Sequence, residues 1–259
     1  MNPENRKRIG VALGGGVARG LAHIGVLTVL EQAHIPIDIV TGASAGSVIG
    51  SAYCAGIGLE KLHQFASSMR WSKIGRLVWP RQGFFNFDKL ENWWKDEIGD
   101  LQFNELKIPF AAMATDIHSG KPVMVCHGSV ARAIRASSSV PGVVTPVEID
   151  GVLLADGNFS ASVPVQAARD LGAEYVIGVD IFIPRLRTLL GPIGYLLSAL
   201  ETLIERAGCG VDLADCLISP ELSGATYLRF SQAPKLIALG QKAAQTKLPE
   251  IKLALGISN

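Results

Sequence analysis

The sequence twice repeats a short apolar run, a glycine-rich turn and a stretch with the apolar spacing of a helix. Residues 9–13 are apolar and end at three consecutive glycines, after which residues 18–33 carry apolar side chains at helical spacing. Residues 37–40 are short and β-branched, and the small residues 41–46 lead into a second helical pattern that runs to Ala55. Parallel strands need crossover connections of this kind. The sequence therefore predicts an α/β protein.

The rest of the chain continues the alternation of strands and helices. A hairpin is expected to turn at Asp150-Gly151, and residues 175–180 are nearly continuously apolar, as is typical of a parallel strand covered on both faces. Between residues 183 and 221 the pattern weakens, which indicates a lid, an interface or peripheral helices. We expect residues 1–259 to form one domain with its motifs in residues 9–180. The further predicted elements are strands at 110–115, 123–126, 147–149, 152–154 and 226–230, and helices at 130–137, 165–171 and from Lys235.

The balance of charge argues against binding driven by nucleic-acid phosphates. Lys and Arg number 24, Asp and Glu number 23, and only 18% of the residues are charged. A net charge of +1 offers no electrostatic footprint for a polyanion, so no nucleic-acid partner is expected. The acidic residues and histidines do not cluster with ligand spacing, so no metal site is expected. Neither a zinc ribbon nor a disulfide framework is indicated, because there is no CxxC pair among Cys54, Cys126, Cys209 and Cys216.

Two segments bear on where the protein resides. Residues 1–8 are polar and charged and lack the apolar core of a secretion signal, so a cytoplasmic location is expected. Residues 40–59 carry no charge over 20 positions, about the length of a membrane span. They contain five glycines and three serines, which fits a tight turn between a buried strand and a buried helix better than a rod in lipid.

The second glycine-rich turn contains a GxSxG motif at residues 42–46. A serine on a sharp strand-to-helix turn presents its hydroxyl outward, and glycines two residues to either side avoid steric conflict there. Taken alone, the motif could be a chance grouping of small residues. Its place between a predicted strand and a predicted helix makes Ser44 a candidate nucleophile.

The first glycine-rich turn, at residues 14–20, reads GGGVARG. A dinucleotide fingerprint would need glycine where Arg19 stands, and a P-loop would need lysine where Leu21 stands, so both phosphate-binding patterns fail. The loop is then either a structural turn or an oxyanion hole, whose N–H groups face a carbonyl oxygen under attack. We expect Arg19 to hold the loop and not to contact substrate. The candidate donors are the backbone N–H groups of Gly14, Gly15 and Gly16.

A serine nucleophile needs a base, and the sequence has no histidine where a hydrolase of Ser, Asp, His order would place one. All five histidines lie at or before His127. Asp156 stands at the end of an apolar strand, where a buried carboxylate would otherwise be costly. Desolvation raises the proton affinity of a carboxylate, so Asp156 is a candidate general base. The alternative is an Asp-Gly turn without a catalytic role.

Together these motifs resemble the patatin-like phospholipase family, in the bacterial branch akin to the catalytic domain of neuropathy target esterase. The order of the motifs is a GGGxxRG loop, a GxSxG serine and an Asp-Gly pair. The similarity covers residues 9–180. It also includes GLAHIGVL at 20–27, ATDIHSG at 114–120, AIRASSSVPGVVTPV at 133–147 and VPVQAARDLGAEYVIGVD at 163–180.

The resemblance implies a three-layer sandwich with a mostly parallel central sheet and helices on both faces. It also implies a catalytic dyad without histidine, in which Ser44 is the nucleophile and Asp156 the general base. No cofactor is implied. The implied oxyanion-hole residues are Gly14, Gly15 and Gly16, and the residues that support the motifs are Arg19, Gly42, Gly46 and Gly157.

Two positions depart from the family pattern. Asn158 stands where the Asp-Gly motif usually continues with Gly or Ala, and Val17 stands where related sequences often have a fourth glycine. Asparagine tolerates a left-handed backbone, so the turn can survive. Neither departure removes a catalytic group, although each can narrow or reshape the site.

The leading hypothesis is a serine acyl hydrolase that cleaves carboxylic ester bonds of lipids, as a phospholipase A or lysophospholipase does, through an acyl-Ser44 intermediate. The lipid part depends on the resemblance, on the apolar residues 189–200 and on residues 71–94, which hold all four tryptophans. Both segments could equally be core or a dimer contact. Any contact with a membrane surface is expected to be peripheral, and the oligomeric state stays open. The alternatives are an inactive lipid-binding or regulatory module with the same fold and, less favoured, a nucleotide-binding enzyme.

Overall fold

A computed structural model describes residues 6–182, 192–207, 210–223 and 229–257 of the protein. Strands and helices alternate along these ranges, with a 3-10 turn at Val17–Leu21. The strands are β1 (Ile9–Leu13), β2 (Ile39–Ala43), β3 (Arg76–Leu77), β4 (Phe85–Asn86), β5 (Phe110–Asp116), β6 (Pro122–Val125), β7 (Val147–Ile149), β8 (Val152–Asp156), β9 (Tyr175–Val179) and β10 (Cys216–Ile218). The helices are α1 (Ala22–Gln32), α2 (Ala45–Cys54), α3 (Leu59–Ser68), α4 (Trp71–Ile74), α5 (Asp88–Glu97), α6 (Val130–Ser137), α7 (Val165–Asp170), α8 (Pro192–Arg206) and α9 (Ala233–Leu255).

The centre of the molecule is a mixed sheet. Its strands follow one another in the order β10, β9, β1, β2, β5, β8, β7, and β6 is also paired with β5. The run from β10 to β5 is parallel throughout, whereas β8 pairs antiparallel with both β5 and β7. β3 and β4 form a separate two-stranded hairpin. The prediction of an α/β protein with a mostly parallel sheet is confirmed.

Helices cover both faces of this sheet, as the alternation of side chains along β1 shows. Val11 and Leu13 point into the larger core, which α1, α2, α6 and α9 share. Ala12 points into the smaller core on the opposite face, where it packs with Ala168 of α7. Strands that are apolar on both faces are what a sheet between two helical layers requires. The expected three layers are therefore present.

Two predicted strands differ from the structure, and the strand β10 was not among those predicted. β2 begins later than predicted and continues through Ala43, so the strand includes the first half of the GxSxG motif. β10 was not predicted, because it is a three-residue strand inside a segment of weak pattern. The strand predicted at 226–230 lies mostly outside the described residues, and its end, Phe230, opens a 3-10 turn. Parts of the segment interpreted as a lid, residues 183–191 and 208–209, also lie outside the described residues.

The uncharged residues 40–59 fold as the end of β2, the whole of α2 and the start of α3, in agreement with the expected turn between a strand and a helix. Of the helices that the structure describes, none has both the length and the apolar composition needed to cross a membrane.

Candidate active site

Ser44 occupies a sharp turn between β2 and α2. Its backbone has φ 50° and ψ −121°, a conformation that residues other than glycine rarely adopt. The Ser44 N–H donates to the Ser137 hydroxyl, with 2.9 Å between Ser44 N and Ser137 Oγ, and this bond helps to hold the turn. The side chain is 6% exposed. The structure thus gives Ser44 the strained strand-to-helix geometry that the GxSxG motif predicts.

The Ser44 hydroxyl donates a hydrogen bond to the carboxyl group of Asp156. The distance from Ser44 Oγ to Asp156 Oδ2 is 2.7 Å. The other carboxyl oxygen, Oδ1, accepts from the Asn158 N–H at 2.9 Å, and Asp156 is only 1% exposed. Each oxygen of the carboxylate therefore has one donor, and one of the two donors is the candidate nucleophile.

The sheet brings these two residues together because β2 and β8 both pair with β5. Ala43, the residue before Ser44, is in register with Met113 of β5. The next residue of β5, Ala114, is in register with Asp156 at the end of β8. Neighbouring strand ends therefore place the serine and the carboxylate at one edge of the sheet, although 112 residues separate them in sequence.

Burial changes the protonation of Asp156. Loss of hydration raises the pKa of its carboxyl to about 7, against the opposing effect of the hydrogen bonds from Asn158 and Ser44. A carboxyl group of this kind exchanges its proton near neutral pH, whereas an ordinary aspartate stays ionised there. Asp156 can accept a proton from a hydroxyl more readily than an exposed aspartate can.

The glycine loop lies beside both candidate catalytic residues, but its three N–H groups differ. The Gly14 N–H donates to Val179 O at 3.0 Å, and the Gly15 N–H donates to Ser162 O at 3.3 Å. Among the described residues, the Gly16 N–H has no backbone carbonyl partner. A predicted oxyanion role for Gly14 or Gly15 would require exchange of these bonds, whereas Gly16 requires none.

His23 anchors this loop, a contact that the sequence did not indicate. It lies in the first turn of α1, and its Nε2 donates to Gly14 O at 2.7 Å. Complete burial lowers the pKa of the imidazole to about 4, so the ring is neutral at physiological pH. Its position one helical turn after the GGGVARG loop is the signal that could have suggested the contact.

Two side chains shape the loop further. Arg19 is 1% exposed, and its role in holding the loop stays a prediction. The Asn158 side chain lies against the α-carbon of Gly15, since a β-carbon on Gly15 would be 2.1 Å from Asn158 Nδ2. Val17, the other departure from the family pattern, has φ 52°. Both departures thus lie in direct contact with the candidate site or within its loop.

The predicted supporting glycines lie where the backbone of one element touches another. A β-carbon at each would lie within 2.5 Å of a carbonyl oxygen, and so could not be accommodated without displacement of backbone. The pairs are Gly42 with Gly46 O, Gly46 with Leu13 O and Gly157 with Met113 O. These contacts fix the Ser44 turn against β1 and the Asp156 turn against β5.

The histidines give no alternative base within the described residues. His118 lies in the exposed turn after β5, and His127 is exposed near Asp150, with 3.5 Å between Nε2 and Oδ2. Neither ring is hydrogen-bonded to Ser44 or Asp156. Within the described residues, the only side-chain acceptor for the Ser44 hydroxyl is the Asp156 carboxylate.

A family model described as patatin-like phospholipase matches residues 11–169, which is more than half of the chain and includes both Ser44 and Asp156. The chain belongs to the patatin-like phospholipase family. The resemblance drawn from the three motifs is thereby confirmed.

Curated relatives place this patatin-like phospholipase family member near the neuropathy target esterase group. It is 37% identical over 177 residues to an NTE family protein of Mycobacterium tuberculosis, covering 67% of this chain and 49% of the relative. It is 33% identical over 183 residues to neuropathy target esterase of Drosophila melanogaster, in an alignment that covers 67% of this chain and 13% of the relative. It is 31% identical over 179 residues to a lysophospholipase of Saccharomyces cerevisiae, in an alignment that covers 67% of this chain and 11% of the relative. The alignments thus span about half of the bacterial relative and a small fraction of the eukaryotic ones.

Solved structures confirm the patatin-like sandwich. VipD from Legionella pneumophila superposes with a TM-score of 0.63 at 12% identity, covering 95% of this chain and 67% of VipD. The type III effector protein ExoU superposes with a TM-score of 0.52 at 14% identity, covering 95% and 53%. At such low identity the likeness concerns the fold alone.

Proposed function

We propose that the protein is a serine acyl hydrolase that cleaves carboxylic ester bonds of lipids, as a phospholipase A or a lysophospholipase. The observation that carries the proposal is the 2.7 Å hydrogen bond from Ser44 Oγ to the buried carboxyl of Asp156. Membership of the patatin-like phospholipase family and the lysophospholipase and esterase names of relatives support a lipid ester as the substrate.

In the proposed reaction, the Asp156 carboxylate accepts the Ser44 proton as Oγ attacks the ester carbonyl carbon. The tetrahedral intermediate collapses, Asp156 returns the proton to the departing alcohol, and the acyl group remains on Ser44. Asp156 then accepts a proton from water as the water attacks the acyl-serine. As the second intermediate collapses, Asp156 returns this proton to Ser44 Oγ, which restores the hydroxyl and the carboxylate and releases the carboxylic acid.

The negative charge that develops on the carbonyl oxygen needs donors that are already in position. We propose the glycine loop for this role, with Gly16 as its principal donor because the Gly16 N–H is not used by a backbone carbonyl of the described chain. Gly14 and Gly15 contribute by holding the loop to Val179 and Ser162. Fixed donors of this kind are worth about a hundredfold or more in rate.

The experiment that tests the proposal is labelling with a fluorophosphonate serine probe, followed by mass spectrometry of the modified peptide. We expect the adduct on Ser44 and its loss in Ser44→Ala. Ser51→Ala is the matched control, since Ser51 is a buried serine of the adjoining helix α2 whose hydroxyl donates to Val48 O, accepts from the Trp94 indole N–H and contacts no carboxylate of the described residues. Labelling of the Ser51→Ala protein should be unchanged. Absence of an adduct, with and without liposomes, would favour an inactive lipid-binding module.

Turnover of variants tests the proposed dyad separately. Ser44→Ala and Asp156→Asn should each lower kcat by about a thousandfold or more, and the double variant should lose little beyond either, because members of a catalytic unit are not additive. His118→Gln and His127→Gln should turn over at nearly the normal rate. Additive losses, or a large loss from either histidine, would contradict the dyad.

The lipid substrate also implies where the protein works. We propose that it contacts membranes peripherally from the cytoplasm, since a lipid ester has to be reached at a bilayer surface. Profiling of ester substrates by chain length tests the lipid part: higher kcat/KM for long acyl chains is expected, and a preference for acetyl esters would leave a hydrolase of another substrate class.

A further inference from the structure

The segment from α4 to β4 exposes large apolar side chains to solvent. We define this segment, residues 70–86, as the tryptophan hairpin. Leu77, the last residue of β3, is 74% exposed, and Trp79, in the turn that joins β3 to β4, is 83% exposed. Contiguous exposed apolar side chains on a folded protein mark an interaction surface. The other large exposed members are Trp71, Phe84 and Phe85.

The tryptophan hairpin also concentrates positive charge. Its 17 residues include four cations and no Asp or Glu, although the whole chain has a net charge of only +1. Arg76 pairs with Asp88, which lies just outside the hairpin, at 2.7 Å. Within the described residues, the other three cations form no ion pair. The four cations, all exposed, are Arg70, Lys73, Arg76 and Arg81.

The tryptophan hairpin is fastened to the segment that supports the candidate active site. The N–H groups of Phe84 and Phe85 both donate to Val143 O, each with an N-to-O distance of 2.9 Å. Val143 lies a few residues after Ser137, whose hydroxyl accepts from the Ser44 N–H, and after Ser139, whose carbonyl accepts from the Asp156 N–H. The hairpin is therefore linked through residues 137–143 to Ser44, by a side-chain hydrogen bond, and to Asp156, by a backbone one.

We propose that the tryptophan hairpin is the surface by which the protein docks on an anionic phospholipid bilayer. The inference rests on the proposed function, for which it names the surface that meets the lipid. Indole rings favour the interface between headgroups and acyl chains, where their apolar faces are buried and their N–H groups stay hydrated. Exposed cations around them are attracted to anionic headgroups.

The same charges argue against a second copy of the chain as the occupant. Two hairpins packed face to face would oppose like charges, because within the described residues only Arg76 of the four cations is neutralised, by Asp88. An anionic bilayer supplies the complementary charge and an apolar layer for Trp79 and Leu77. Through Val143, the docked face is hydrogen-bonded to the segment whose Ser137 and Ser139 accept from the Ser44 and Asp156 N–H groups.

Vesicle binding of the full chain carrying Ser44→Ala tests the surface without lipid turnover. Sedimentation compares vesicles of phosphatidylcholine with vesicles containing one-third phosphatidylglycerol. We expect stronger partition onto the anionic vesicles, and a loss of about tenfold or more in the partition coefficient for Leu77→Ala/Trp79→Ala and for Lys73→Gln/Arg81→Gln. Leu253→Ala is the matched control, because Leu253 is 84% exposed on α9 and is expected to leave binding unchanged.

Three results would overturn the inference. These are unchanged partition of both double variants, equal partition onto neutral and anionic vesicles, and a dimer in light scattering that Leu77→Ala/Trp79→Ala dissociates. The hairpin variants with Ser44 intact should hydrolyse a water-soluble ester at the wild-type rate. Such turnover would show that these variants are folded. Hairpin-dependent vesicle binding without any Ser44 adduct would refute the proposed hydrolase and leave the docking surface standing.

Discussion

Two residues of the candidate site, Val17 and Ser44, have backbone conformations that normally belong to glycine. Their φ values are 52° and 50°. Such conformations cost on the order of 1–3 kcal/mol each and persist where the surrounding structure imposes them. One of the two carries the candidate nucleophile and the other lies in the glycine loop, so strain is stored where the proposed reaction needs fixed geometry.

Among variants that lack the Ser44 hydroxyl, glycine should therefore be more stable than alanine at this position. We expect Ser44→Gly to be more stable than Ser44→Ala by about 1 kcal/mol in urea unfolding, because glycine adopts the turn without strain. Ser47 provides the matched pair, since it lies within α2 with ordinary helical geometry. There Ser47→Gly should be less stable than Ser47→Ala by about 1 kcal/mol. The same sign at both positions would show that the turn is unstrained.

The pH dependence of turnover should reflect Asp156. Its pKa is raised to about 7 by burial, and the proposed base must be ionised, so kcat/KM should rise with pH through about 7 and then level off. Measurement on a soluble ester between about pH 5 and pH 9 checks this, and His127→Gln should keep the same curve. A rise centred near pH 4 would mean that Asp156 behaves as an ordinary exposed carboxylate.

At the scale of elements, the site depends on how closely α2 approaches the end of β1. A β-carbon on Gly46 would lie 2.1 Å from Leu13 O and 2.7 Å from Gly14 O, so the first turn of α2 rests on the carbonyls that lead into the glycine loop. Leu13 is the last residue of β1, so its oxygen cannot move without displacing the end of that strand. Any side chain at position 46 must then shift α2, and with it Ser44.

Gly46→Ala should accordingly destabilise the protein by about 1–3 kcal/mol. It should also lower kcat by a larger factor than the factor by which it changes KM. Gly50→Ala is the matched control in the same helix, because a β-carbon there meets only side-chain atoms, at 3.1 Å or more. Its effects on stability and on kcat should both be smaller. Equal effects of the two substitutions on kcat would argue that the contact with Leu13 does not position the serine.

Elements with local signals could be predicted from the sequence, and contacts between distant segments could not. α6 lies at the predicted residues because its signals are local, including Ser129, whose hydroxyl accepts from the Arg132 N–H. β10 gains its hydrogen bonds from β9, nearly 40 residues earlier, so nothing in its own three residues announces it. The contact of Asn158 with Gly15 joins segments even farther apart in sequence. The pairing of Ser44 with Asp156 was expected only through the family resemblance, since no spacing rule spans 112 residues.

At the scale of the whole molecule, the buried carboxyl of Asp156 makes stability depend on pH. Its pKa lies above that of the unfolded chain, so between about pH 4 and pH 7 the folded protein holds a proton that the unfolded chain has released. The contribution of Asp156 to the free energy of unfolding therefore falls as pH rises through this range, and it is lowest above about pH 7.

Asp156→Asn should remove this dependence. We expect the variant to gain more than about 1 kcal/mol relative to the wild type between pH 4 and pH 8, as measured by urea unfolding at each pH. Asp116→Asn is the control, because hydrogen bonds in an exposed turn lower the pKa of the Asp116 carboxyl, and no such gain above about pH 4 should follow. A constant difference across the range would mean that Asp156 titrates alike in folded and unfolded chains.

The pairing of β8 with β5 has a consequence for the order in which the protein becomes active. A growing chain that has emerged only as far as β6 already contains the serine, its glycine loop and their helices, yet it lacks the proposed base, which arrives with β8. Long-range strand pairing of this kind forms slowly compared with local helices. During refolding, hydrolysis should therefore return only after most of the helical structure has formed. A chain still being synthesised should therefore hydrolyse no ester until β8 has emerged and paired with β5.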